Sequence, residues 1–198
     1  MRTLEEAALD ASTCTRCRLS QGRTQVVYGV GDPNADLMFI GEAPGFHEDK
    51  QGEPFVGAAG QLLNQLLTEI DVPRDDVYIN NVILCRPPGN RDPLPDELEA
   101  CKPWLDERVA LIDPAVVVTL GNWATRYILG KQVSISRVRG QRFPWSGRTV
   151  IPTFHPAAVL HGGGQASNQM SALRADFQEI RRALAERPQP AEEQLGLF

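Results

Sequence analysis

The chain has 198 residues, 42% of them apolar, and 20 Lys and Arg against 25 Asp and Glu give a formal net charge of −5. That length suits one domain able to bury a core without cross-links, and no apolar run is long enough to cross a bilayer. The N-terminal stretch MRTLEEAALDAS lacks the continuous apolar segment of a secretory signal, so a reducing cytoplasm is the expected setting. There the four cysteines are better read as metal ligands or redox thiols than as disulfides.

Two of those cysteines, Cys14 and Cys17, come first along the chain, three residues apart in CTRC. DLMFIG (36–41) predicts a short buried strand, and GEAPGFHEDKQGEPFVG (41–57) then reads as a loop that places Glu42 directly at the strand end. Leu62, Leu63, Leu66, Leu67 and Ile70 form one stripe and predict a helix over 58–70. VYINN (77–81) predicts a second strand, and CRPPGNRDPLPDELEAC (85–101), which begins at Cys85 and ends at Cys101, comes after it. Pro95 opens a helix expected to run to Ile112, AVVVTLG (115–121) is a third buried strand, and 122–129 a further helix. RFPWSGRTVIPTF (142–154) predicts two strands joined around Ser146 and Gly147, with FHPAAVLHGGG behind them. A last helix spans 169–185.

Alternating strands and helices predict an α/β fold, a three-layer αβα sandwich around a small, mainly parallel sheet. Residues 1–186 are expected to form the single domain and 187–198 a flexible tail. In such sheets ligands bind at the C-terminal strand ends, where Glu42, Asn81 and His155 all fall.

Net charge argues weakly against a polyanionic partner, but its distribution argues the other way. From Pro114 to Ala175 there is no Asp or Glu, while Arg126, Lys131, Arg137, Arg139, Arg142, Arg148 and Arg174 supply cations. Charge alone leaves two readings open: a nucleic-acid face, or a basic surface that pairs with the acidic remainder on folding.

GEAPG at 41–45, EPFVGAAGQLLN at 53–64, NRDPLPDE at 90–97 and HPAAVL at 155–160, with the cysteine spacing, resemble the uracil-DNA glycosylase superfamily, and within it the iron–sulfur branch called family 4. The related family 5 lacks the acid after the first glycine, so Glu42 favours family 4. The resemblance implies excision of uracil from DNA by hydrolysis of its N-glycosidic bond. It implies that Cys14, Cys17, Cys85 and Cys101 hold a 4Fe–4S cluster. Carried over residue by residue, Asn81 reads the uracil edge, Phe55 stacks on the flipped base, and His155 donates to uracil O2. Glu42 orients or deprotonates water, the backbone of Gly41 and Ala43 lines the pocket, and Glu48 crowds the C5 position of thymine. Arg86, Arg91 and Arg174 are expected to contact DNA, with Val159 or Leu160 wedged into the gap left by the base.

A rival reading is a non-catalytic iron–sulfur module that binds DNA or carries electrons. It keeps the cysteines and gives no reason for Glu42, Asn81 and His155 to share one edge. The final residues, QLGLF, resemble peptides that dock on the bacterial sliding clamp, through Gln194, Leu195, Leu197 and Phe198. The domain itself is expected to be monomeric.

Overall fold

A computed structural model describes residues 2–164 and 167–186; the tail and its clamp-like peptide lie outside the described residues. Its centre is a six-stranded sheet in the order β1-β3-β2-β4-β6-β5. These strands span Val30–Gly31 (β1), Leu37–Gly41 (β2), Val77–Asn81 (β3), Val116–Leu120 (β4), Phe143–Trp145 (β5) and Arg148–Thr153 (β6). The four inner strands pair parallel, as the alternation predicts. Both edges are antiparallel: β1 against β3, and β5 against β6. The turn joining β5 to β6 places Ser146 and Gly147 at φ 47° and 81°. Two consecutive positive φ values match the twist of a tight hairpin.

The β2, β3 and β4 strands are buried along their whole length, which is why they read as mainly apolar runs rather than alternations, with the buried polar Asn80, Asn81 and Thr119 near their C-terminal ends. Their side chains still divide by parity. Met38, Ile40 and Tyr78 face one layer, made by helices α1 (Leu4–Ser12), α4 (Pro95–Ile112) and α5 (Gly121–Leu129). Leu37, Phe39, Val77 and Ile79 face the other, made by α3 (Ala58–Glu69), α7 (Pro156–His161) and α8 (Asn168–Ala185). Two short helices complete the set among the described residues, α2 (Phe46–Gln51) and α6 (Ile135–Val138).

Local chemistry sets the helix ends. A capping box between Thr3 and Glu6 opens α1, Pro95 takes the first turn of α4, and the Ser167 hydroxyl accepts the Met170 N–H at the start of α8. The sequence gives α1 these signals without an obvious apolar stripe, and only Ala7 and Ala11 of it are buried. Helices α2 and α7 fall inside segments expected to be loops; each is only six residues long, below what periodicity can show.

The acid-free stretch is mostly neutralised on folding. Arg139 pairs with Asp176, Arg142 with Glu179 and Glu186, Arg148 with Asp113, and Arg174 with Glu69. Of the two readings of that charge, the structure takes the second. Helix α8 brings Asp176, Glu179 and Glu186 against the basic hairpin.

Candidate active site

Register decides what meets at the C-terminal edge of the sheet. Gly41 on β2 lies opposite Asn81 on β3, and β6 ends at Thr153, two residues before His155. The three loops leaving these ends enclose a cavity of about 400 Å³. Glu42, Ala43, Glu48, Phe55, Asn81, Arg91 and His155 are all in its wall.

Asn81 is 2% exposed, and its side-chain amide has no hydrogen-bond partner among the described residues. A buried amide without a partner costs free energy unless a ligand or water completes it. Gly41 makes room for it. A Cβ there would overlap Asn81 Oδ1 and come within 3.0 Å of the Phe55 ring. Asn80, its neighbour within β3, faces the opposite side of the sheet, fully buried with its amide unpartnered.

Phe55 adopts φ 56°, a left-handed conformation that costs a residue with a Cβ roughly 1–2 kcal/mol. The Glu48 carboxylate, on α2, accepts the N–H groups of Val56 at 3.1 Å and Gly57 at 3.4 Å and so pins the strained segment. The Phe55 and His155 rings stack at 5.6 Å between centroids and 27° between planes, which leaves one face of Phe55 for a planar ligand.

His155 caps α7 through its ring: Nδ1 accepts the Ala157 N–H at 3.2 Å. An accepting Nδ1 carries no proton, so Nε2–H is the donor. Burial lowers the pKa of the imidazole to about 4 despite the opposing charge of Glu48, and the ring is neutral at physiological pH. Glu42 moves the other way: burial, helped by the charge of Asp92, raises its carboxyl to about 7. A neutral donor and a poised base thus face one cavity.

At the rim Arg91 forks onto Glu97, at 2.6 and 2.8 Å, and the fully buried Glu97 also accepts the Leu94 N–H. Arg86 donates to Asn90 and lies over the ring of Phe46, with Lys50 over the same ring. Phe46 is 44% exposed. The sequence reading passed over it because one aromatic in a polar loop carries no pattern. Two further expectations change. Val159 is fully buried in the core beneath α7, so only Leu160 of the pair is partly accessible. Arg174 donates to both Glu69 oxygens, at 2.9 and 3.0 Å, which places its guanidinium in an ion pair between α8 and α3.

The cysteines converge as well. Cys14, Cys17, Cys85 and Cys101 line one small cavity with Leu84 and Ala100. N–H groups point at three of the sulfurs: Trp104 Nε1 to Cys14 at 3.3 Å, Arg23 to Cys85 at 3.4 Å and the Leu84 amide to Cys101 at 3.4 Å. Among the described residues no group of three or more His, Cys, Asp or Glu side chains is arranged to hold a metal ion. Burial pushes the Cys101 thiol up to about 12. A thiolate in that place needs a strong cationic partner.

A model of the uracil DNA glycosylase superfamily matches residues 28–184. A type-4 uracil-DNA glycosylase of Sulfurisphaera tokodaii is 46% identical over 190 residues, covering 91% of this chain and 84% of its own. One of Thermotoga maritima is 50% identical over 149 residues, covering 74% of this chain and 78% of its own. Similarity to a type-5 uracil-DNA glycosylase of Thermus thermophilus is lower, 33% over 164 residues, covering 73% of this chain and 74% of its own. With Glu42, Asn81 and His155 on one sheet edge and the matching branch retaining most of the chain, the protein belongs to the uracil-DNA glycosylase superfamily and to its type-4 branch.

Proposed function

We propose that the protein removes uracil from DNA by hydrolysing the N-glycosidic bond of deoxyuridine, leaving an abasic site. The observation that carries this reading is the unpartnered Asn81 amide beside the neutral His155 donor and Phe55. Uracil presents an O4 acceptor and an N3–H donor along one edge; an amide presents the complementary pair. Cytosine reverses that edge and leaves both amide groups unmatched, which gives the discrimination its size.

The base must leave the stack to reach this cavity. Bond cleavage then builds negative charge on the uracil ring and positive charge on the sugar. His155 Nε2–H, held by the Ala157 contact at its other nitrogen, donates to uracil O2 as that charge grows. Glu42, ionised, accepts a proton from water or orients it toward C1′, and its charge offsets the sugar cation. Glu48 crowds the place of the thymine methyl while holding the Phe55 segment. Arg91, braced by Glu97, and Arg86 stand at the rim where the flanking phosphates pass.

The four-cysteine cavity fits a 4Fe–4S cluster held by Cys14, Cys17, Cys85 and Cys101, since the N–H groups aimed at the sulfurs stabilise thiolate ligands. Such a cluster would cross-link the N-terminal segment, the segment after β3 and α4, and every step of bond cleavage above is assigned to Glu42, Asn81 and His155 instead. A transient clamp contact through Gln194 to Phe198 would concentrate the enzyme at newly copied DNA. Deleting those residues should abolish pull-down of a bacterial clamp without changing excision.

The test of the main reading is incubation with a uracil-containing oligonucleotide followed by alkali. Scission at uracil is expected. Intact strands, from protein that still binds the oligonucleotide, would establish a binding module instead.

A further inference from the structure

Among the described residues Arg108 is the largest fully buried side chain, and no carboxylate there lies beside its charge. Its guanidinium donates to three backbone carbonyls instead: Nε to Trp104 at 3.1 Å, one terminal nitrogen to Tyr28 at 2.6 Å, the other to Asn81 at 3.0 Å. A buried cation held only by neutral groups is costly.

Helix α4 shows what is nearby. Cys101, Trp104 and Arg108 stand at i, i+3 and i+7, which puts them on one face of that helix. Arg108 holds the Trp104 carbonyl, and the Trp104 indole donates to Cys14 Sγ at 3.3 Å. Burial disfavours the Arg108 charge, and Tyr78, Cys101 and Tyr28 offset this in that order, the ring centroid of Tyr28 lying 5.3 Å from the Arg108 Cζ. At the other end of the same guanidinium is the carbonyl of Asn81, the residue whose amide faces the cavity. The covalent path is equally short: after Asn81 the chain passes Leu84, whose N–H donates to Cys101, and reaches Cys85.

We propose that Arg108 is a positioning residue that couples the cysteine cavity to the active site: its fork fixes the end of β3 at Asn81, and its buried charge is balanced by the anionic, thiolate-ligated cluster. The proposal rests on the iron–sulfur reading above. Four thiolates around a 4Fe–4S core carry net negative charge, and Arg108 supplies an internal counter-charge that favours both partners.

The test compares wild-type holoprotein with Arg108→Met, which removes charge and fork at similar volume, and Arg108→Lys, which keeps the charge alone. Iron release to a chelator, followed by loss of visible absorbance and by iron content, reads the charge. Single-turnover excision, with the Kd for abasic DNA measured separately, reads the fork. In Arg108→Met, iron release should quicken about tenfold, and single-turnover excision should slow about tenfold with the Kd for DNA within about two-fold. Arg108→Lys should release iron at close to the wild-type rate and excise as slowly as the methionine variant. If the methionine variant does not fold, the lysine variant tests both roles: iron release from Arg108→Lys about tenfold faster than wild type, with the charge retained, overturns the charge balance. Wild-type iron release in Arg108→Met overturns the charge balance, and restored excision in Arg108→Lys overturns the fork. Wild-type protein that holds iron and excises uracil keeps the parent reading intact in either case; wild-type protein without iron overturns the cluster and this coupling together.

Discussion

Burial moves two ionisable groups of the pocket toward their neutral forms, Glu42 up to about 7 and His155 down to about 4. The consequences for catalysis are separable. Glu42 must be ionised to take a proton from water, so excision should rise with pH through a single ionisation near 7. The His155 donor stays neutral throughout that range and adds no acid limb above about pH 4. Glu42→Gln should abolish the rising limb and lower the single-turnover rate by about 100-fold or more. The same shift makes a stability statement. Folded Glu42 keeps a proton that the unfolded chain releases between about pH 4.5 and 7, so its contribution falls as pH rises through that window. The glutamine variant should therefore melt higher than wild type at pH 8 and equal to it at pH 4. His155 has the opposite sign: the unfolded chain takes a proton below about 6.5 that the folded ring refuses until about 4, so acid destabilises through this group. For the donor itself, His155→Ala should cost about 100-fold or more in the chemical step, with DNA affinity unchanged. A loss expressed only as weaker DNA binding would remove His155 from the chemistry.

At the scale of elements, the loops matter more than the strands they follow. Strands β2, β3 and β4 were legible because burial on both faces favours apolar residues at successive positions, and α3 and α8 because their stripes persist over several turns. The edge strand β1 was not, since two residues ending in Gly31 carry no period. Helix α2 was hidden in a glycine-flanked polar segment, and with it the job of Glu48. From sequence Glu48 was a wall of the pocket; in the fold its carboxylate also accepts Val56 and Gly57 N–H groups and seats Phe55 at positive φ. The motif could name the residue, but only the path of the chain shows what it holds. Glu48→Ala should then cost stability, about 1–3 kcal/mol for the unmade charge-assisted bonds, read as a shift in urea midpoint at constant m. It should also lower excision of uracil, because Phe55 loses its support, while opening the pocket to thymine. Lost stability with uracil excision intact would show that Phe55 needs no such clamp.

Across the whole molecule, a net charge of −5 must be reconciled with a polyanionic substrate. The linear distribution left a basic face over residues 114–175 as one of two open readings, and folding pairs most of its arginines with Asp113, Asp176, Glu179, Glu186 and Glu69. Sequence could count those charges but not see α8 return across the sheet to pair them. What stays available beside the cavity is a smaller group: Arg86 and Lys50 around the exposed ring of Phe46, and Arg91 braced on Glu97. Few phosphates can be neutralised by so small a set. Affinity for DNA should therefore fall with salt at a modest slope, about −0.9 per phosphate contacted. Arg86→Gln should make that slope shallower by about one unit and weaken binding alike for every sequence around the uracil. Arg142→Gln, on the paired surface beside Glu179 and Glu186, should leave the slope as it is. Titrating both variants against wild type over a range of salt distinguishes the two faces. A slope that responds to Arg142 and not to Arg86 would move the DNA from the cavity mouth to the hairpin side of the molecule.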